Sequence, residues 1–495
     1  MLKKVLDIFK VFFKIGVIGF GGGSALIPVI EKEVVGNKKW FTEEEYLKHT
    51  VIANITPGTL PTKIGAVAGY EIAGGWGSLA GAYAATLPGV LLTMVLMMLF
   101  TIAGAKITHY IEFASVGITI FIINLLGIYI LKVISSGKQN NLYKANIIIC
   151  ILAFLVTGGK EIRQVINATV GQTLISMDNI VFDIPTINLI IIAFFMIFFV
   201  GLLKSRWAFI VGTLVSFAYA IVLGKNGLVP NRELVGQVIL VLMVGLAGCA
   251  VLSTKKNGEV QKVSFKFTKQ MCLAIGLFVG LPIVLIIVAI ILAPEGPGVV
   301  GQMLGYSKDV TVSTLTSFGG GEAYVAVADG FFVQTGMVEA GEFYNKLVAV
   351  ANALPGPILV KIAAGVGYIF GGTIGGMVYG WLLGMLGMTL AVGSCCILAL
   401  VVLMGYDALK DSEALKLLKQ YILPVVCGML ISTSLSMMVE AMKVTSVVGL
   451  SGGIALPIIL VSILGVYSIH KKYHVNDVIL LIGCAVTSFI GLSIF

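Results

Sequence analysis

The sequence predicts an all-α polytopic membrane protein built from two homologous halves. Three observations predict it. The 495 residues are 58% hydrophobic and only 12% charged, with a mean hydropathy of +1.03, about half the charge of an ordinary soluble domain. Apolar runs near bilayer length recur at 189–203, 237–252, 272–292, 377–404 and 478–495. Residues 20–77 align without a gap with residues 318–375 at a constant offset of 298, with 21 of 58 positions identical.

Together the apolar runs predict roughly ten to fourteen membrane segments. The net charge of +9 is spread over loops, as in inner-membrane proteins, and does not point to nucleic acid. Its densest part is Lys255, Lys256, Lys262, Lys266 and Lys269, which reads as cytoplasmic. The expected location is a cell (plasma) membrane, crossed many times. The first nineteen residues lack a small-residue cleavage site and run straight into the repeat, so they do not read as a signal peptide. The seven cysteines lie in apolar segments and read as small buried side chains. No cluster has metal-ligand spacing, and no cofactor is expected.

Taken in order, a short apolar helix over 5–19 ends in Gly21-Gly22-Gly23, and an amphipathic stretch over 24–35 carries Glu31 and Glu33. Thr42 reads as an N-cap with Glu43–Glu45 in the first turn. That helix runs to Asn54 and stops at Thr56-Pro57-Gly58. A second starts near Pro61, carries Lys63 and Tyr70, and ends at Gly74-Gly75. Each is about 14 residues, short of a full span, so the pair predicts a hairpin that enters the membrane and turns back. Longer segments follow, then a polar stretch over 160–185, read as a loop with a short surface helix. The sequence divides into a first repeat at 1–224, connecting helices and a basic linker at 225–297, and a second repeat at 298–495.

The repeated residues are those with special backbone or charge properties. Phe20/Phe318, Gly21–Gly23/Gly319–Gly321, Asn54/Asn352, Pro57/Pro355, Gly58/Gly356, Lys63/Lys361 and Tyr70/Tyr368 are identical, and Glu31 aligns with Asp329. Duplicated breaks in apolar helices point to a transporter site at the repeat interface. F-G-G-G, a helix, N-x-x-P-G-P and a later G-Y before a glycine-rich turn, present twice, resemble the chromate ion transporter family in its two-domain form. Pro355-Gly356-Pro357 fits the motif intact; Thr59 stands where a second proline is usual, and Lys63 and Lys361 depart from the polar neutral residue typical there. The resemblance implies membrane transport of chromate by a carrier that also handles sulfate-like dianions, with two halves of opposite membrane orientation.

The residues suggest how an anion would bind. A helix restarting after Pro-Gly presents unpaired N–H groups at its positive end, which suits a tetrahedral oxyanion. The candidate substrate-binding residues are therefore Gly21, Gly22, Gly23, Asn54, Pro57, Gly58, Lys63, Gly319, Gly320, Gly321, Asn352, Pro355, Gly356, Pro357 and Lys361. Glu31 and Asp329 are candidates for coupling, because two lysines and two carboxylates sum to zero and would exchange partners with a dianion. The same lysines also read as snorkelling or structural groups, and the glycine runs as tight packing. The expected partners are a small oxyanion and the lipid bilayer; a homo-oligomer stays open. A passive anion channel is the nearest alternative. An intramembrane serine hydrolase at Ser451, in a G-x-S-x-G pattern, is the distant one. It would need a histidine, and His49, His109, His470 and His474 all read as peripheral.

Overall fold

The computed structural model of the chain describes residues 1–18, 22–102, 105–138, 141–171, 175, 184–223, 232–256, 268–318, 321–406, 413–473, 475 and 477–494. Among these there is no strand. Eight helices are long and apolar enough to cross a membrane, or nine if Tyr143–Thr157 and Gly159–Val170, bent by 65°, form one broken span. This is fewer than the sequence predicts. Several apolar segments are too short, among them Ile187–Leu203 and Asp477–Ser493, and the segments around Pro57 and Pro355 are half-helices.

The chain packs as two compact units, each assembled from separated segments. The first contains Met1–Leu125, Lys266–Met404 and Glu440–Phe495, and holds every element of the repeat. Helix α1 (Leu2–Ile18) leads to α2 (Gly22–Glu31), a π-helical turn (Lys32–Asn37), α3 (Glu43–Ile55) and α4 (Leu60–Ile102). The second repeat follows the same order. Helix α12 (Val299–Thr316) leads to α13 (Gly321–Ala328), a π turn (Asp329–Val333), the π-helical stretch Glu342–Val348 continuing into α14 (Ala349–Ala353), and then α15 (Ile358–Met404). At the 298-residue offset α1 coincides with α12, so the structural duplication begins a helix earlier than the sequence alignment. Apolar helices carry few distinctive residues, which is why that extension is not visible in the sequence.

Helix α1 buries Ile8, Val11, Phe12, Ile15 and Gly16, one face at helical spacing, against α4. Helix α12 packs against α15 in the same way, and α4 packs against α15. Both long helices are folded back on themselves. In α4 the break is at Ala73 and Gly74, the latter at φ +66°. A Cβ on Gly69 would lie 2.1 Å from the Gly77 carbonyl oxygen, an approach only glycine permits. In α15 the turn is at Gly376, φ +75°. Thr42 caps α3 as expected: its Oγ1 accepts from the Glu45 N–H at 3.3 Å, while the Glu45 carboxylate accepts from the Thr42 N–H at 2.8 Å.

The second unit contains Leu126–Phe265 and Gly405–Val439. Its helices α8 (Thr186–Leu203), α9 (Arg206–Leu223) and α10 (Arg232–Lys256) share a core of Phe195, Phe199, Ala208, Tyr219, Met243 and Ala250. The polar stretch after residue 160 contains the expected short helix, α7 (Gly159–Val170), with Glu161 and Arg163 buried. Cys150, Cys395, Cys396 and Cys427 are buried as expected, whereas Cys249 and Cys272 are exposed on helices whose outward side chains are also apolar, such as Leu242, Val244, Val279 and Leu281.

Candidate functional site

The two helix breaks have one local cause. The residue before a proline is pushed out of the helical region, and Thr56 (φ −101°, ψ 148°) and Leu354 (φ −98°, ψ 151°) are both extended. Gly58 and Gly356 follow at φ +91° and +93°, which favours glycine. The chain then re-enters helix at Leu60 and Ile358. Asn54 Nδ2 donates to the Thr50 carbonyl at 2.8 Å, and Asn352 Nδ2 to the Val348 carbonyl at 2.8 Å. Each asparagine thus spends its amide donor on its own half-helix.

Lys63 and Lys361 are completely buried. Lys63 Nζ donates to the carbonyl oxygens of Ala53 (2.6 Å), Thr56 (2.6 Å) and Pro57 (3.1 Å). Lys361 Nζ donates to those of Leu354 (2.5 Å) and Pro355 (3.2 Å), the repeat counterparts of Thr56 and Pro57. Each cation therefore closes the carbonyl end of the half-helix before its own break, where the helix dipole is negative. An ammonium has three donors. Those of Lys63 are all used, and one of Lys361 has no partner among the described residues.

The structure does not bring the expected carboxylates to these lysines. Among the described residues neither lysine lies within ion-pair distance of an acid. Glu31 is exposed. Asp329 is buried and accepts from the Tyr344 hydroxyl at 2.5 Å and from Gln334 Nε2 at 2.8 Å. Within the aligned stretch 20–77, the buried acid among the described residues is Glu33, bound to Lys14 at 2.5 Å, two residues beyond the aligned position. Gly22 and Gly23 open α2, and Gly321 opens α13 with its Cα against Ile358, just past the second break. Gly21, Gly319 and Gly320 lie outside the described residues.

Each break meets the other repeat. The Gly58 N–H donates to the Ser317 carbonyl at 2.7 Å, and a Cβ on Gly58 would lie 2.4 Å from Cys395 Cβ. Conversely, a Cβ on Gly89 of α4 would lie 2.4 Å from the Pro355 carbonyl oxygen and 3.2 Å from the Lys361 side chain. Around the first break, Thr59, Thr62 and Ser317 are buried, and their hydroxyls have no partner among the described residues. The aligned second-repeat positions Pro357 and Val360 offer no such groups. Sequence reasoning passed over Thr62, Ser317, Cys395 and Gly89. For Thr62 the available signal was a second hydroxyl three residues after Thr59 in an apolar helix start; for the others only the tertiary contact reveals the role.

His49, read from the sequence as peripheral, is completely buried. Its Nε2 lies 2.7 Å from Glu71 Oε2, and Phe41 packs edge-on to the ring. Ser451 is exposed, and its carbonyl accepts from the Ile454 and Ala455 N–H groups at 2.9 Å. It starts helix α17 (Gly452–Tyr473).

A family model described as "Chromate transporter" matches residues 6–248 and 308–489. The chain is 38% identical over 91 residues to "Uncharacterized transporter YwrA" of Bacillus subtilis, covering 18% of this chain and 51% of that protein. It is 30% identical over 118 residues to "Probable chromate transport protein" of Synechococcus elongatus (24% and 30%), and 26% identical over 132 residues to "Chromate transport protein" of Cupriavidus metallidurans (27% and 33%). The chain thus spans about half the length, or less, of the curated relatives it matches. No solved structure matches it.

Proposed function

The chain belongs to the chromate transporter family, and on that premise we propose that it is a secondary carrier of chromate or a related oxyanion such as sulfate across the cytoplasmic membrane. The anion binds at the paired Pro-Gly breaks, where the two repeats meet. The observation that carries this reading is the pair of fully buried ammonium groups, Lys63 and Lys361, with no described carboxylate beside either. A buried charge without a counter-ion is costly. Backbone carbonyls solvate these two in part, and a dianion drawn to the breaks offsets the rest.

Lys63 acts on the anion only through its field, because its donors are occupied. Lys361 retains a donor for a substrate oxygen. The hydroxyls of Thr59, Thr62 and Ser317 and the N–H groups of the restarting helices add neutral donors. The names of two relatives, which specify chromate transport, agree with this substrate class. The two repeats take opposite membrane orientations in this scheme, as in carriers with inverted-topology repeats. The repeat limits at 1–224 and 298–495, joined by 225–297, belong to the same reading.

The test is flux in proteoliposomes with chromate, sulfate, molybdate and phosphate. Saturable uptake of chromate or sulfate with counter-transport is expected, and Lys361→Met raises KM. Unsaturable electrical current without counter-transport would make the protein a channel. Absence of flux for all four anions would overturn the reading.

A further inference from the structure

We propose that His49 and Glu71 form a proton-binding site, and that the proton taken up there is the coupling ion of the transport cycle. The coupling role rests on the carrier reading above; the site itself does not. The pair joins the two arms of the first half-helix hairpin, His49 from α3 and Glu71 from the 60–72 limb of α4. The hairpin closes at the other end on the Pro57-Gly58 break, where Lys63 Nζ holds the Ala53 carbonyl. His49 lies six residues before Ile55, the last residue of α3, about 9 Å along a helix.

The ring is fully buried, and its second nitrogen, Nδ1, has no partner among the described residues. Glu71 is partly exposed, its side chain at 28%, so the pair has one face at the surface of the molecule and one in its interior. The other titratable groups around it are few. Glu71 also faces Lys48 Nζ at 3.8 Å, and Glu45 lies one turn before His49 on α3. Phe41, on the third side, is apolar.

A neutral imidazole has one donor and one acceptor nitrogen, and an imidazolium has two donors. One proton from water adds to the neutral ring, making His49 an imidazolium beside the Glu71 carboxylate. The pair's charge changes from −1 to 0. Within an apolar hairpin the neutral pair holds the two arms more strongly, because opposite charges at this separation attract strongly where water is sparse. Proton occupancy is thereby linked to how firmly α3 and α4 close on the break. The second repeat has Leu347 and Ile369 at the aligned positions, so the site is single and the predicted stoichiometry is one proton per cycle.

Two readouts test this on the full-length protein. In the first, ring-labelled histidine NMR in detergent micelles identifies the His49 signal by its loss in His49→Gln. That signal should respond to acidification as the ring takes up a proton, and the response should differ in Glu71→Gln. A signal that does not titrate overturns the site. In the second, steady-state chromate accumulation is measured in proteoliposomes with the membrane potential clamped. One coupled proton changes the accumulation ratio about tenfold per unit of imposed pH difference. His49→Gln and Glu71→Gln should flatten this dependence, and Glu71→Asp should keep it. A wild-type ratio independent of the pH difference, or a dependence retained in His49→Gln, overturns the coupling role. If wild type moves no anion, the carrier reading fails while the NMR result still decides the site.

Discussion

The Lys63 ammonium donates to the Thr56 carbonyl oxygen at 2.6 Å, reaching back over the Pro57-Gly58 break. Lys361 makes the equivalent bond to Leu354 at 2.5 Å. A lysine one turn into a helix is unfavourable against that helix's own dipole, but each is held by the carbonyl end of the helix before it. The same residue type at the same repeat position therefore has a structural duty first, and the two copies differ in what remains for a ligand.

Lys63→Met leaves three buried carbonyls without their donor and should destabilise the protein by about 2–4 kcal/mol. Lys361→Met removes two bonds and should cost less, with the larger effect on transport. Thermal unfolding in detergent, measured beside flux, separates the two. Equal unfolding midpoints with equal transport defects would contradict the asymmetry.

The positive φ of Gly58 and Gly356 predicts strain on substitution at both, but the surroundings differ. A Cβ on Gly58 meets Cys395 Cβ at 2.4 Å, whereas one on Gly356 has nothing nearer than 3.6 Å. Gly58→Ala should cost on the order of 2–5 kcal/mol from backbone strain and overpacking together. Gly356→Ala should cost about 1–3 kcal/mol from backbone strain alone. Cys395→Gly should recover part of the Gly58→Ala loss and none of the Gly356→Ala loss, read as unfolding midpoints.

Thr62 carries a buried hydroxyl without a partner among the described residues, which is costly in the empty protein. Thr62→Val keeps the shape and removes that cost, so it should raise the unfolding midpoint by an amount worth about 1 kcal/mol. If the hydroxyl serves the anion, the same change raises KM by roughly 2–10-fold, the value of one neutral hydrogen bond. A stabilised variant with unchanged KM would remove Thr62 from the binding site.

The Lys14 hydrogen bond holds the Glu33 carboxyl below its ordinary 4.5. A lowered carboxylate stabilises the folded state fully above the unfolded value, and that stabilisation is lost as pH falls through the folded one. Acidification below about pH 4.5 should therefore loosen the contact between α1 and the Lys32–Asn37 turn. Because Lys14 is 57% exposed, the effect is under about 1 kcal/mol. Lys14→Met should lose this part of the acid sensitivity, seen as a smaller drop in unfolding midpoint between about pH 6 and about pH 4.

Much of the fold was legible because its causes are local. Apolar length produced the membrane class, the Thr42–Glu45 box started α3, and Pro-Gly pairs broke both helices. The misreadings share another cause. The charge balance drawn from Glu31 and Asp329 assumed that aligned residues occupy equivalent surroundings. Instead Glu31 is exposed, while Asp329 is held by Tyr344 and Gln334. His49 sits among polar neighbours in the sequence and looked peripheral, yet it is buried and pairs with a carboxylate 22 residues later.

The sequence by itself determined that this chain is a duplicated, helix-rich membrane protein broken twice at Pro-Gly, because proline and glycine act on the residues beside them and bilayer length is a matter of composition. Only the tertiary structure decided what each break faces. Gly58 meets Ser317 and Cys395, Pro355 meets Gly89, and Lys63 is saturated while Lys361 is not. Those contacts join residues some 260 to 340 positions apart, in apolar helices whose many side chains could pack in several ways. Nothing local selects among these packings, so they emerge only when α4 and α15 fold against each other.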